Sequence, residues 1–124
     1  MKTDSKLINY LKKHPKIYFA YGSNLNLTQM KVRCPDSKLI KICTLDDYKL
    51  VFRGVADVEY SKGDKVWGAL FRVGYKDIVN LDAYEGYPTL YTKEYMPTKY
   101  GDGFFYIMNN QHDVKPPSEY YYDT

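Results

Sequence analysis

The sequence is poor in the residues from which many catalytic centres are built. It has two histidines, His14 and His112, in polar segments near opposite ends. A histidine-centred metal site or triad is therefore not expected, and both read as solvated surface residues. Its two cysteines, Cys34 and Cys43, form no C-x-x-C pair and have no histidine nearby; they read as free, buried thiols. A glycine-rich phosphate loop of either usual spacing is missing. No apolar run approaches the ~18 residues of a membrane span, and the first residues lack a signal-peptide core. The expectation is a cytoplasmic protein with no membrane partner. Charge of one sign is also lacking. Eighteen Lys and Arg stand against 15 Asp and Glu, for a net charge of +3. The densest basic group, Lys12, Lys13 and Lys16, is too thin for a nucleic-acid stripe.

What is present suffices for a core. A chain of 124 residues predicts one domain, residues 1–124, with a radius of gyration near ~14 Å, burying roughly 65% of its unfolded surface. With 44% hydrophobic and 27% charged residues, long-range disorder is excluded. Tyrosine is in excess, 15 against 5 Phe and 1 Trp. Tyrosine joins apolar area to a hydroxyl that needs a partner when buried. Such a chain can line a pocket that is both apolar and hydrogen-bonding, or simply build tyrosine-rich strands.

Along the chain, residues 4–13 read as a short helix capped by Asp4, with Leu7, Ile8 and Leu11 on one face and Pro15 ending it. Residues 16–21 form a short apolar run suited to a strand buried on both faces. Gly22-Ser23-Asn24 breaks it, and Asn24 or Asn26 caps a helical turn running to about Arg33. Strands are predicted over 39–45 and 48–52, joined at Asp46-Asp47, then over 55–60 and 65–73 around a turn at Ser61-Lys62-Gly63-Asp64. In the last of these, Trp67, Ala69, Phe71 and Val73 are the predicted core face. A helix over 75–84 follows, with Gly86 as its C′ residue and Pro88 preventing resumption. Strands over 91–98 and 103–108 complete the pattern, and Ser118 is poised to cap a further helix. The order predicts an α+β fold with a curled, barrel-like sheet.

Two features carry chemistry. At Tyr21-Gly22-Ser23-Asn24-Leu25 a buried strand stops and a helical turn begins. Glycine there permits positive φ or close backbone approach, and the following amides can converge on an anion. The pattern fits a structural turn as well as a binding loop. The second feature is Glu85, on the core-facing row at the C-terminal end of its helix. The helix dipole opposes ionisation there, and burial against Tyr84, Tyr87 or Tyr91 opposes it further. It is either a solvated glutamate at a frayed helix end or a carboxyl kept partly protonated, as a general acid/base requires.

Together these segments resemble the gamma-glutamylcyclotransferase superfamily, which includes the avirulence-induced-gene-like proteins. The likeness begins at Tyr18-Phe19-Ala20-Tyr21-Gly22-Ser23-Asn24-Leu25. It continues through Arg33-Cys34-Pro35-Asp36-Ser37, Val66-Trp67-Gly68-Ala69-Leu70-Phe71 and Leu81-Asp82-Ala83-Tyr84-Glu85-Gly86, and covers roughly residues 16 to 122. The resemblance implies a small twisted mixed β-barrel with flanking helices, the signature loop and the acidic residue facing one cavity. It also implies cyclisation of a gamma-glutamyl group to 5-oxoproline, with release of an amine, amino acid or peptide. By motif position Glu85 takes the catalytic acid/base role. Tyr21, Gly22, Ser23, Asn24 and Leu25 take the substrate-binding loop, and Tyr91 a pocket position.

The implied chemistry needs no metal or cofactor, because the nucleophile is the substrate's own α-amine. The protein must hold the chain folded, take a proton from the ammonium and stabilise the oxyanion. An ammonium near ~8 facing an ordinary glutamate near ~4.3 makes that transfer uphill by about 5 kcal/mol, and each unit by which the carboxyl is raised removes about 1.4 kcal/mol. The expected partner is a small gamma-glutamyl compound. The alternative is a binding or regulatory module that keeps the cavity without turnover. Related proteins carry a helix beyond Pro116-Pro117-Ser118, whereas this sequence ends at Thr124, so a second copy in a homodimer is an expected means of completing the cavity.

Overall fold

The computed structural model describes residues 16–109 and Lys6, the side chains of Ser23 and Asn24 excepted. The helix expected over 4–13 (but for Lys6), both histidines and the Pro116-Pro117-Ser118 segment lie outside the described residues. Strand β1 spans Ile17–Ala20, followed by a 3-10 turn at Gly22–Leu25 and helix α1 at Leu27–Arg33. Then come β2 (Lys38–Phe52), β3 (Ala56–Arg72), α2 (Tyr75–Glu85), β4 (Tyr91–Thr98) and β5 (Gly101–Met108). Asn26 caps α1, its side-chain oxygen accepting the Gln29 N–H at 3.1 Å, one of the two caps foreseen.

The five strands form one twisted sheet in the order β2-β3-β1-β5-β4. β1 pairs parallel with β5, and the other pairs are antiparallel. This is the expected mixed α+β sheet with flanking helices. Among the described residues β2 and β4 remain its outer strands, so it curls without closing. The curl is visible in the core. Tyr48 of β2 and Phe105 of β5 lie 5.3 Å apart between ring centroids, although β3 and β1 separate their strands in the sheet.

That curl corrects the predicted core face. Ala69, Phe71 and Val73 do pack into a core beneath the helices, with Tyr18, Ala20, Met30, Ile78, Leu81 and Tyr106. Val66 and Leu70, assigned to the outer face, join a second core with Ile17, Phe19, Leu45, Val58 and Phe105. Trp67 is 63% exposed. Alternation along a strand separates two faces but does not say that one is wet. Both are dry where β3 pairs with β1 from Ala69 to Phe71, and Trp67 lies beyond that pairing. β1 carries the same division, Tyr18 and Ala20 to one core and Ile17 and Phe19 to the other.

The breaks expected at 46–47 and 61–64 are a second correction. β2 and β3 run through them as one hairpin, the register passing from Asp46↔Lys65 to Tyr48↔Tyr60. Asp47 adopts φ +66°, and its carboxylate accepts the Gly63 N–H at 3.0 Å. The turn chemistry is real but makes a bulge, because the ladder on both sides of it holds the two strands together. Cys34 is buried as expected, whereas Cys43 is only partly so. Burial pushes the Cys34 thiol up to about 12, with the Asp77 charge adding to it and Arg33 opposing.

Candidate functional site

α2 is fixed at both ends by its sequence. At its start the Asp77 side chain accepts the Gly74 N–H at 3.0 Å, satisfying a donor that the helix leaves open. At its end Gly86 adopts φ +68°, the left-handed cap that glycine takes without a Cβ penalty. Ile78 and Leu81 seat the helix on the first core. Glu85 is its last residue and is half-buried.

β1 delivers the other half of the site. Its ladder ends at Ala20, and the next residue, Tyr21, is buried with its hydroxyl donating to the Tyr106 carbonyl at 2.7 Å. Gly22 then adopts φ +64° to begin the 3-10 turn. A Cβ at Gly22 would sit 3.1 Å from the Ala56 Cβ, so the turn packs closely over the start of β3.

Tyr21 and Glu85 line the same cavity, of about 400 Å³. Tyr91 joins them, and its hydroxyl donates to the Ala56 carbonyl at 3.1 Å. Tyr18, Tyr84 and Tyr106 add aromatic wall, and Val55, Ala56, Leu90 and Met108 add aliphatic wall. Three of the sequence-assigned residues, Tyr21, Glu85 and Tyr91, are therefore brought together. Gly22 and Leu25 belong to the turn just beyond Tyr21 and are not among the described lining residues, Leu25 being 37% exposed. Ser23 and Asn24 lie in the same turn.

The tyrosine excess resolves into this wall. Burial holds the Tyr21 phenol far above its ordinary value, with the charges of Asp57, Tyr91, Glu85 and Tyr18 adding to it. Tyr106 is raised in the same way, by burial first and then by Asp82, to which its hydroxyl donates at 2.6 Å. Both are neutral hydrogen-bonding groups at any physiological pH. Of the described lining residues, Glu85 alone brings a carboxyl group. The arrangement can move a proton and hold a polar ligand against phenols.

Sequence reasoning missed two ion pairs beside this cavity. Asp82 accepts Tyr106 and pairs with Lys93 at 3.0 Å. Asp57, fully buried, accepts the Arg53 guanidinium at 3.1 Å and the Met108 N–H at 3.0 Å. The only signal for Asp82 was its place three residues before Glu85, one turn back on the same helix face. Among the described residues no three His, Cys, Asp or Glu side chains cluster as metal ligands, and no helix is long and apolar enough to cross a membrane.

The described residues thus form a curled mixed sheet whose central strand ends at a cavity, with one carboxyl group lining it at a helix C-terminus. The chain belongs to the family described as gamma-glutamyl cyclotransferase, AIG2-like, which it matches over residues 18–123. It is 35% identical over 82 residues to the gamma-glutamylcyclotransferase of Mus musculus, covering 56% of this chain and 44% of that protein. The chain thus spans less than half the length of that curated relative. A solved gamma-glutamyl cyclotransferase superposes with a TM-score of 0.63 at 28% identity, over 76% of this chain and 66% of its own. An uncharacterized Pyrococcus horikoshii protein shares the fold, with a TM-score of 0.67 at 17% identity over 82% of this chain and 83% of that one.

Proposed function

We propose that the chain is a gamma-glutamyl cyclotransferase. It takes a gamma-glutamyl amine, amino acid or peptide and releases 5-oxoproline and the freed amine, with Glu85 as general acid/base. The observation that carries this reading is the sharing of one cavity by Glu85 and Tyr21, which come from sequence segments more than sixty residues apart. Family membership and the mouse relative's name support the reaction class.

In this reading Glu85 takes a proton from the substrate α-ammonium, and the freed amine nitrogen attacks the γ-carbonyl carbon. The ring C–N bond forms, and Glu85 passes its proton to the leaving nitrogen and takes the second proton from the ring nitrogen. The bond to the leaving nitrogen breaks, and the freed amine takes up that second proton, which returns Glu85 to the carboxylate. The position of Glu85 at the negative end of α2, half-buried among tyrosines, favours its uncharged form and so eases the transfer. The turn at Gly22–Leu25 supplies backbone amides for the α-carboxylate or the oxyanion. A cavity of about 400 Å³ is within the usual range for a small-molecule site.

The test is a coupled assay for 5-oxoproline across a panel of gamma-glutamyl amines, amino acids and peptides. Wild-type protein is expected to turn over at least one of them. Glu85→Gln is expected to lose at least 100-fold in kcat with an unchanged melting temperature. Retained turnover in that variant would remove Glu85 from the mechanism. Silence of the wild type across the panel, with ligand binding still seen by thermal shift, would mark a binding module.

A further inference from the structure

Among the described residues, the carboxyl groups of Asp57, Asp82 and Glu85 lie at or near the cavity. Asp57 behind Tyr21 has the buried Arg53 guanidinium against it at 3.1 Å. Asp82 has the Lys93 ammonium at 3.0 and 3.2 Å from its two oxygens. Glu85 lines the cavity itself. Lys93 is held deep for a lysine, its side chain only 10% exposed, and its ammonium lies 4.4 Å from the Tyr87 ring centroid and 5.1 Å from that of Phe104. Taking a lysine and an aspartate this far out of water is costly, and apolar replacements of similar shape often match such pairs in stability. Stability alone is a weak reason for the pair to be here.

Position supplies a better one. Asp82 and Glu85 are one turn apart on α2, where side chains at i and i+3 start about 5–6 Å apart. The Tyr106 hydroxyl touches Asp82 and lies within electrostatic reach of Glu85. We infer that Asp82 and Lys93 are positioning residues for Glu85: Asp82 anchors the Tyr106 hydroxyl on the cavity wall, and Lys93 cancels the Asp82 charge so that a second carboxylate does not hold Glu85 protonated and it starts as the base that takes the substrate's proton. This rests on the acid/base reading of Glu85.

Among the described residues, the titratable and charged groups at or beside the cavity that Glu85 lines are Tyr18 and Tyr21 at β1, Asp57 at the start of β3 with Arg53 just before it, Tyr84 and Asp82 on α2, Tyr91 and Lys93 on β4, and Tyr106 on β5. α1 adds Arg33, stacked 3.5 Å from the Tyr84 ring centroid. The phenols of Tyr21 and Tyr106 keep their protons, and Asp57 carries its own cation. Removing Lys93 exposes the Asp82 charge one helical turn from Glu85. At ~7 Å and an effective dielectric of ~20, an uncompensated charge moves a neighbouring carboxyl by about one to two pH units.

The experiment titrates Glu85 directly by carbon-13 NMR of its carboxyl group, assigned by loss of the signal in Glu85→Gln, with the pH profile of kcat/KM for 5-oxoproline release recorded in parallel. Lys93→Met is expected to raise the Glu85 midpoint by about one unit, and Asp82→Asn to lower it. The double variant should return it to within about 0.3 units of wild type, a small residue beside the one-to-two-unit single shifts. A packing role would lower melting temperatures without shifts of opposite sign. Lys93→Gln serves in place of Lys93→Met should that variant not fold, and Lys93→Arg should leave the midpoint where it was. Midpoints that do not move, or move the same way in both single variants, overturn the inference even if wild-type turnover is present. Opposite shifts in a wild type that releases no 5-oxoproline would instead uphold the charge arrangement and sink the functional reading.

Discussion

Gly68 is the position where a single methyl group should do most harm. It sits in β3 one residue before Ala69, which pairs with Ala20 at the end of β1. A Cβ there would fall within hard contact of the Ala20 carbonyl oxygen and the Phe19 Cζ, and 2.8 Å from the Phe19 Cε1. Neither neighbour can yield easily. The Phe19 ring is fully buried, and Ala20 is backbone in a central strand whose displacement pulls on Tyr21. Overpacking of this kind costs about 1–3 kcal/mol, and the need for a backbone shift puts Gly68→Ala at the upper end. For 124 residues, unfolding entropy makes 1 kcal/mol worth about 4 °C in melting temperature, so a fall of about 8–12 °C is expected. The control is Gly74→Ala, where the nearest atom to the new methyl lies 3.9 Å away and the loss should stay below about 1 kcal/mol. Thermal unfolding by circular dichroism measures both. A Gly68→Ala protein melting within about 2 °C of wild type, half the worth of 1 kcal/mol, would refute the packing described for the end of β1.

Arg53→Leu should destabilise by about 3–5 kcal/mol in urea titrations, because it strands the fully buried Asp57 carboxylate without its cation; a loss under about 1 kcal/mol, the scale of an exposed pair, would mean that Asp57 is not held as a buried charge. Tyr21 and Tyr106 hold their protons above the ordinary phenol value in the fold. Their stabilising contribution is therefore complete below the unfolded value of ~10 and lost as pH rises beyond it. Absorbance at alkaline pH should show these two phenols ionising only together with unfolding. With the Cys34 thiol pushed up to about 12 and buried, a thiol reagent at pH 8 should modify Cys43 first and reach Cys34 only on unfolding, as counted by mass spectrometry; Cys34 reacting first would contradict its environment.

Local chemistry made much of this fold readable. The Gly86 cap, the Asn26 cap and the arrest of β1 before Gly22 are decided within a few residues, so the expected elements stand close to where the pattern put them. The breaks at 46–47 and 61–64 misled because Asp47 and Gly63 do form a turn-like contact, but the partner strand overrides it. The dry second face of β3 was hidden because it depends on curvature, which brings Tyr48 to Phe105 without any local mark. Within the site, Tyr21, Glu85 and Tyr91 were legible through motif position, while Lys93 and Arg53 were not. A lysine on a β-strand reads as solvated until the ring beneath it and the carboxylate beside it are known.

The meeting of Tyr21 with Glu85 follows from lengths and directions that the strands impose. β3 runs antiparallel to β1 and ends with Arg72 opposite Ile17, the first residue of β1. α2 therefore starts beside the beginning of β1 and runs back across the first core, over Tyr18 and Ala20. Its 11 residues cover ~16 Å at 1.5 Å each, while the step from Ile17 to Tyr21 covers ~13 Å of strand. The two runs end at nearly the same level, so the carboxyl group closing the helix comes to face the residue that closes the strand. A helix one turn shorter would stop ~5 Å short of Tyr21, level with Phe19 and Ala20 at ~3.3 Å per strand residue. In the proposed reading the length of α2 is thus a functional quantity, and its caps at Asp77 and Gly86 set where the Glu85 carboxyl stands as much as how stable the helix is.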